Sequence, residues 1–418
     1  MKTRNLWVTL SLVNLCIVAL LGMTLRTKLL FPLPSIDFKN FLSAHSHFAF
    51  GGWVTLAFMI LYIDNVLTPE QQNKKAYQWI LWGIEITSFG MVVTFPFQGY
   101  ALFSIVFSTL FIFFTYGFSW VFITDLKKLK LERPVKLLII SALISLVVSS
   151  IGPFTLAYIL ATKTGNAILY RDSIYTYLHF QYNGFFTLSV FALLFHQLVT
   201  NIDEGMKRKI RLFALFLCLA VIPTLFLSML WHSFNPYIRG LALVGCVLTL
   251  LTLVSFLPVA LNKKLYSVYA LPLARTLLTF SVIAFIIKIS LQMGTIVPAL
   301  GNAVFGFRPI IIGFLHLVFL GLVSFYIFSN FLSSGVFHAE KKISTTAIIF
   351  FAVAIIFNEA ILLVDGIGLM FYITNPIYSW LLWVASIFLF TGTILILAAR
   401  LNKISKNQKP PIRAMAYD

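Results

Sequence analysis

Twelve apolar runs, each about the length that crosses a bilayer, constrain this chain more than any single residue does. They lie at 6–25, 41–62, 79–95, 100–124, 135–160 and 174–199 in the first half. In the second half they lie at 212–231, 238–261, 276–298, 309–332, 344–364 and 376–399. A run of about 20 apolar residues is the length an α-helix needs to span hydrocarbon, and every backbone amide in such a span must be satisfied internally. Hydrophobic residues make up 60% of the 418 residues and charged ones only 11%, more apolar surface than a water-soluble core of this size can enclose. The expected fold is therefore all-α, a polytopic membrane protein of about twelve transmembrane helices. Residues 1–418 form a single transmembrane domain, because the connecting loops are too short for another. Met1–Asn5 reads as a basic flank before a retained first span, not as a cleaved leader.

The net charge of +18 is explained by where the charges sit. Lysine and arginine gather in the loops between apolar runs, so they mark orientation and not a nucleic-acid face. One side carries 23 of them, including Lys127, Lys128, Lys130 and Arg133 and the cluster Lys207, Arg208, Lys209 and Arg211. The other side carries seven: Arg26, Lys28, Lys39, Lys163, Arg171, Arg239 and Arg308, while Lys288 falls inside a span. The positive-inside rule then places both termini in the cytoplasm of a multi-pass plasma (inner) membrane protein, with the lipid bilayer as its first partner and no nucleic acid. Cys16, Cys218 and Cys246 all fall within spans and form no CxxC or CxxCH pattern, which argues against a disulfide, a thiolate metal site or a covalently attached heme.

This orientation gives each histidine a depth. His45 and His47 lie in the first outer turns of the second span, and His179 lies about 8 Å into the sixth. His232 ends the seventh, and His316 sits about two turns into the tenth. His196 and His338 fall on the cytoplasmic side. Imidazole within a bilayer is costly unless it is paired, hydrogen-bonded or bound to a metal. A single histidine at a span end is commonly just an interfacial polar group, but four different spans here deliver imidazoles to one depth. His45 and His47 project about 200° apart on a helix, so they serve different faces; Ala49 and Gly51 give each a small neighbour one turn on. His179 and Asn183 share a face of the sixth span. Among other intramembrane polar groups, Glu85 and Lys288 are candidates for a proton path, against the alternative of structural hydrogen bonding. Arg308 is placed to bind a carboxylate or to anchor the interface.

Twelve spans with histidines near the outer ends of spans two, six, seven and ten resemble the catalytic subunit (subunit I) of the heme–copper oxidases and the related nitric oxide reductases. The resemblance implies a subunit I-like helix bundle. It also implies a non-covalent b-type heme on His45 or His47 with His316, and Arg308 toward a heme propionate. His179 and His232 correspond to copper ligands, and an electron-donor subunit is the partner such chemistry requires. The sequence departs from that family in having one histidine at Trp231-His232-Ser233, one at His316-Leu317-Val318, and Asn183 where oxidases often carry tyrosine. Too few histidines remain for two hemes and a three-histidine copper. The expectations are a membrane heme protein reducing oxygen or nitric oxide, a non-catalytic heme-binding assembly or sensor protein, or a secondary transporter. A five-coordinate heme on His316 facing His179 and His232 is the alternative arrangement of the site.

Overall fold

The structure is a computed structural model and describes residues 2–199, 202–232, 235–337 and 342–402; His338 lies outside the described residues. Twelve helices are long and apolar enough to cross a membrane. They are α1 (Arg4–Leu30), α2 (Phe38–Val66), α3 (Lys75–Gln98), α4 (Leu102–Leu126), α5 (Arg133–Thr162) and α6 (Ala167–Leu198), followed by α7 (Glu204–Met229), α8 (Pro236–Ala260), α9 (Pro272–Gly294), α10 (Arg308–Ser333), α11 (Lys342–Met370) and α12 (Ile377–Leu401). Several begin earlier than the apolar runs because a polar residue caps the first turn. Asp37 accepts from the Asn40 amide at 2.8 Å, and Asp203 accepts from the Met206 amide at 2.9 Å. The latter cap carries the basic cluster at 207–211 into the helix.

The helices pack in three successive groups of four. In each group the first helix lies against the second and the third forms a hairpin with the fourth, and α12 closes against α1. The second member of each group, α2, α6 and α10, contains a π-helical stretch, at Ala49–Thr55, Phe180–Phe186 and Leu317–Ser324 respectively. The three stretches meet in the core. Phe50, Phe186 and Phe319, one from each, pack tilted or edge-to-face with centroids 4.5–5.7 Å apart, and Trp53 donates to Ser324 at 3.3 Å.

A π turn moves each amide from the i−4 to the i−5 carbonyl and strands polar atoms where no water can reach them. Here side chains satisfy them. Asn14 of α1 donates to the Gly52 carbonyl at 2.8 Å, Thr187 to that of Tyr182 at 2.5 Å, Ser281 of α9 to that of Leu322 at 2.7 Å and Ser324 to that of Phe319 at 2.8 Å. Glycine lets the first helix of a group approach closely. A β-carbon on Gly184 would lie 2.4 Å from the Ser145 β-carbon of α5, and one on Gly321 would lie 3.0 Å from that of Ala284 on α9.

The end of the bundle carrying most lysines and arginines is tied by polar contacts. Arg400 donates to Asn5 and to the Val336 carbonyl, both at 2.7 Å, and Arg4 pairs with Asp64 at 2.6 Å. Asp125 is held by Lys74 and by Tyr77 at 2.9 Å.

Candidate functional site at the histidine-bearing end

Each of the three π stretches begins within two residues of a histidine: His47, His179 or His316. When α2, α6 and α10 are aligned, the reason becomes visible in the sequence. They read HFAFGGWVTL from His47, HFQYNGFFTL from His179 and HLVFLGLVSF from His316. The shared pattern is histidine, an aromatic ring three residues on, glycine at five and a hydroxyl side chain at eight. That repeat, spaced by about a third of the chain, is a sequence signal for the inner helices that hydropathy alone does not expose. π turns are rare and frequently lie at functional sites.

The histidines then divide by what their ring nitrogens do. His45 faces α1, where its Nδ1 donates to the Val18 carbonyl at 3.0 Å and its ring packs where a β-carbon on Gly22 would lie 3.2 Å away. His316 donates from Nδ1 to the Ile312 carbonyl at 2.9 Å. A carbonyl only accepts, so in both rings Nδ1 carries the hydrogen and Nε2 carries the lone pair. Neither Nε2 has a hydrogen-bond partner among the described residues. The two rings lie within electrostatic range of each other, and Arg26 of α1 lies within range of both.

His47 points the other way, toward α3 and the turn after it. It stacks on Phe95 with centroids 4.6 Å apart, and its Nε2 hydrogen-bonds the Tyr100 hydroxyl at 2.9 Å. His179 is fully buried and both of its nitrogens are engaged. Nε2 donates to the Val221 carbonyl at 2.7 Å and Nδ1 accepts from Asn183 at 3.0 Å. Lys288 of α9, itself buried, donates to the Asn183 side-chain oxygen, so Lys288, Asn183, His179 and Val221 form one chain across α9, α6 and α7. His232 donates to Asp172 at 2.9 Å beside Trp231, whose ring is covered by the Arg171 guanidinium at 4.8 Å. Glu85 accepts from Asn14 at 2.8 Å, the same amide that serves the Gly52 carbonyl. Glu85 and Lys288 thus belong to separate networks, one supporting the π turn of α2 and the other that of α6.

Two further groups complete the His45–His316 region. Arg26 was legible in the sequence only as an orientation charge. It and Arg308 lie within electrostatic range of each other, with Asp365 near Arg26. Arg308 covers the Phe38 ring at 4.8 Å, and neither guanidinium has a hydrogen-bond partner among the described residues. The region therefore combines two imidazole lone pairs with two guanidiniums, Arg26 near Asp365 and Arg308 over Phe38. That donor set, with the small Gly22 beside His45, has the chemistry that a bis-imidazole heme and its two propionates would require.

A three-histidine copper centre does not fit the same test. His179 has no free lone pair, which leaves His232, anchored by Asp172, without a second imidazole of the expected pair, and no group of three or more His, Cys, Asp or Glu that could hold a metal occurs among the described residues. On its other face α10 borders a cavity of about 690 Å³ whose lining contains no histidine. No protein-family model and no curated protein matches this chain.

Proposed function

We propose that this protein is a membrane heme-binding protein holding one b-type heme between His45 and His316, related in arrangement to the heme–copper oxidase catalytic subunits. The observation that supports this is the pair of histidines within electrostatic range of each other, each fixed by an Nδ1 hydrogen bond to a backbone carbonyl and each left with an Nε2 lone pair that has no partner among the described residues. Anchoring of the second ring nitrogen is what orients a metal-binding imidazole and sets its tautomer. Arg26 and Arg308 are suited to the two propionates, since a guanidinium binds a carboxylate through two parallel hydrogen bonds. The heme supplies one-electron chemistry when bound. His45 and His316 would both be committed to holding it, so electron relay or heme handling fits better than turnover of oxygen or nitric oxide. Such a role calls for a redox partner at the membrane.

The test is an optical spectrum and pyridine hemochrome assay on protein purified after expression with heme supplied. One six-coordinate low-spin b-type heme is expected. It should be lost from His45→Ala and His316→Ala and kept in His47→Ala and His179→Ala. A wild-type protein without heme, or a His45→Ala/His316→Ala protein that retains it, removes the proposal.

A further inference from the structure

Lys288 and Asn183 border a small cavity enclosed by α6, α7, α8 and α9, away from the His45–His316 pair. Its volume is about 20 Å³, room for about one water-sized guest. The polar side chains that line it are Asn183 of α6, Thr224 of α7, Thr249 and Thr252 of α8, and Lys288 and Gln292 of α9, each more than nine-tenths buried. Lys288 is 2% exposed and makes one hydrogen bond, to the Asn183 side-chain oxygen. An ammonium has three protons to donate, so two remain. No aspartate or glutamate lines the cavity, and none among the described residues lies within electrostatic range of Lys288. A buried ammonium without a counter-charge is costly, and removing it from water is offset only by an opposite charge and further hydrogen bonds.

The rest of the lining supplies donors. Gln292 lies one turn from Lys288 on the same face of α9, and its side-chain amide has no hydrogen-bond partner among the described residues. Thr224, Thr249 and Thr252 donate their hydroxyls to the carbonyls of Ala220, Gly245 and Leu248, four residues back, at 2.6–2.8 Å. In an α-helix those carbonyls also accept the threonine's own amide, so a hydroxyl can turn to a guest and leave no carbonyl unsatisfied. We propose that this cavity is a binding site for a small monovalent anion, a halide such as chloride, with the Lys288 ammonium as its counter-charge and the Gln292 amide and threonine hydroxyls as further donors. Phosphate, sulfate and carboxylates need more room than this space gives, and a metal cation would be repelled by Lys288. Water fits by size but leaves the lysine charge uncompensated, so it is the rival occupant that the test must separate. The site needs no heme.

The full chain in detergent, exchanged into gluconate, is titrated with chloride or bromide at constant ionic strength, with Tm and equilibrium dialysis against radiolabelled chloride as readouts. The wild type should bind about one chloride per chain, saturably, and its Tm should rise by a few degrees at about 100-fold the dissociation constant. Lys288→Met, which keeps the length of the aliphatic stem, should lose both the binding and the halide dependence of Tm. Gln292→Leu leaves the charge in place and should weaken chloride binding about tenfold by removing one donor, which keeps the test open if Lys288→Met does not fold. Lys130→Met, in the loop between α4 and α5, should change neither readout. A wild type with the same Tm in gluconate and chloride and no bound label would make the guest water and overturn the proposal. Equal stabilisation by sulfate would reduce the effect to general salt and overturn it too, as would a Lys288→Met or Gln292→Leu protein that binds chloride as tightly as the wild type.

Discussion

At the residue scale, the side chains of one type take different roles according to which ring nitrogen meets a carbonyl. In His45 and His316 it is Nδ1, leaving Nε2 free to bind a metal; in His179 it is Nε2, and Asn183 occupies the other nitrogen. His179 is therefore a buried strut between α6 and α7, and its removal should be felt as lost stability. His179→Leu leaves the Asn183 amide without its acceptor and removes the donor to the Val221 carbonyl, at about 1–3 kcal/mol for each buried group left unsatisfied. The expected outcome is a Tm lowered by several degrees in detergent, with the heme spectrum of the loaded protein retained. If the spectrum vanished while Tm held, His179 would be a ligand. Residue type and place in the apolar runs were readable from the sequence at this scale: His45 and His47 lie in α2, His179 in α6 and His316 in α10 as read, while His232 falls just past the end of α7. The choice of ring nitrogen was not, because it depends on carbonyls of α1 and α7 that lie far away along the chain.

At the element scale, hydropathy and capping carry most of the fold. Most expected spans fall within four residues of the helices; α6 and α7 begin seven and eight residues earlier, the latter because the basic cluster after Asp203 is helical although it is not apolar, and α1 and α11 run five and six residues longer. The π stretches were invisible to hydropathy because a shift in hydrogen-bond register changes no residue's polarity. Their trace is the threefold pattern of histidine, aromatic ring, glycine and hydroxyl, which appears only when α2, α6 and α10 are compared with one another. The glycine in that pattern makes a specific demand. Gly184→Leu forces a side chain into Ser145 of α5, where even a β-carbon would sit at 2.4 Å. Overpacking of this kind costs about 1–3 kcal/mol or more. A clear fall in Tm is expected for Gly184→Leu. Gly240→Ala on α8, with nothing within 4 Å of the added carbon, should leave Tm unchanged or slightly raised, since alanine is the better helix former. A Gly184→Leu protein as stable as the wild type would show that α5 and α6 do not pack through this point.

At the scale of the whole molecule, twelve crossings bring the described end of α12 back to the side where α1 begins, and Arg400 hydrogen-bonds Asn5 there. That side also carries Lys74, Lys127, Lys128 and the cluster after Asp203, whereas the opposite end holds His45, His316, Arg26 and Arg308. The translocation machinery retains loops rich in lysine and arginine on the cytoplasmic side, so the charge asymmetry predicts a bundle whose histidine pair lies toward the outer leaflet. A heme held there would exchange electrons with partners on the non-cytoplasmic side. The direction can be measured without reference to any cofactor. Lys130→Cys lies in the exposed loop between α4 and α5, and Thr164→Cys in the exposed loop between α5 and α6. In intact cells a membrane-impermeant maleimide should label Thr164→Cys and spare Lys130→Cys, and after the membrane is permeabilised it should label both. The native cysteines, all within spans, provide the background from the unsubstituted protein. The reverse labelling pattern would invert the bundle, put the His45–His316 pair on the cytoplasmic side, and require its electron partner to be a cytoplasmic one.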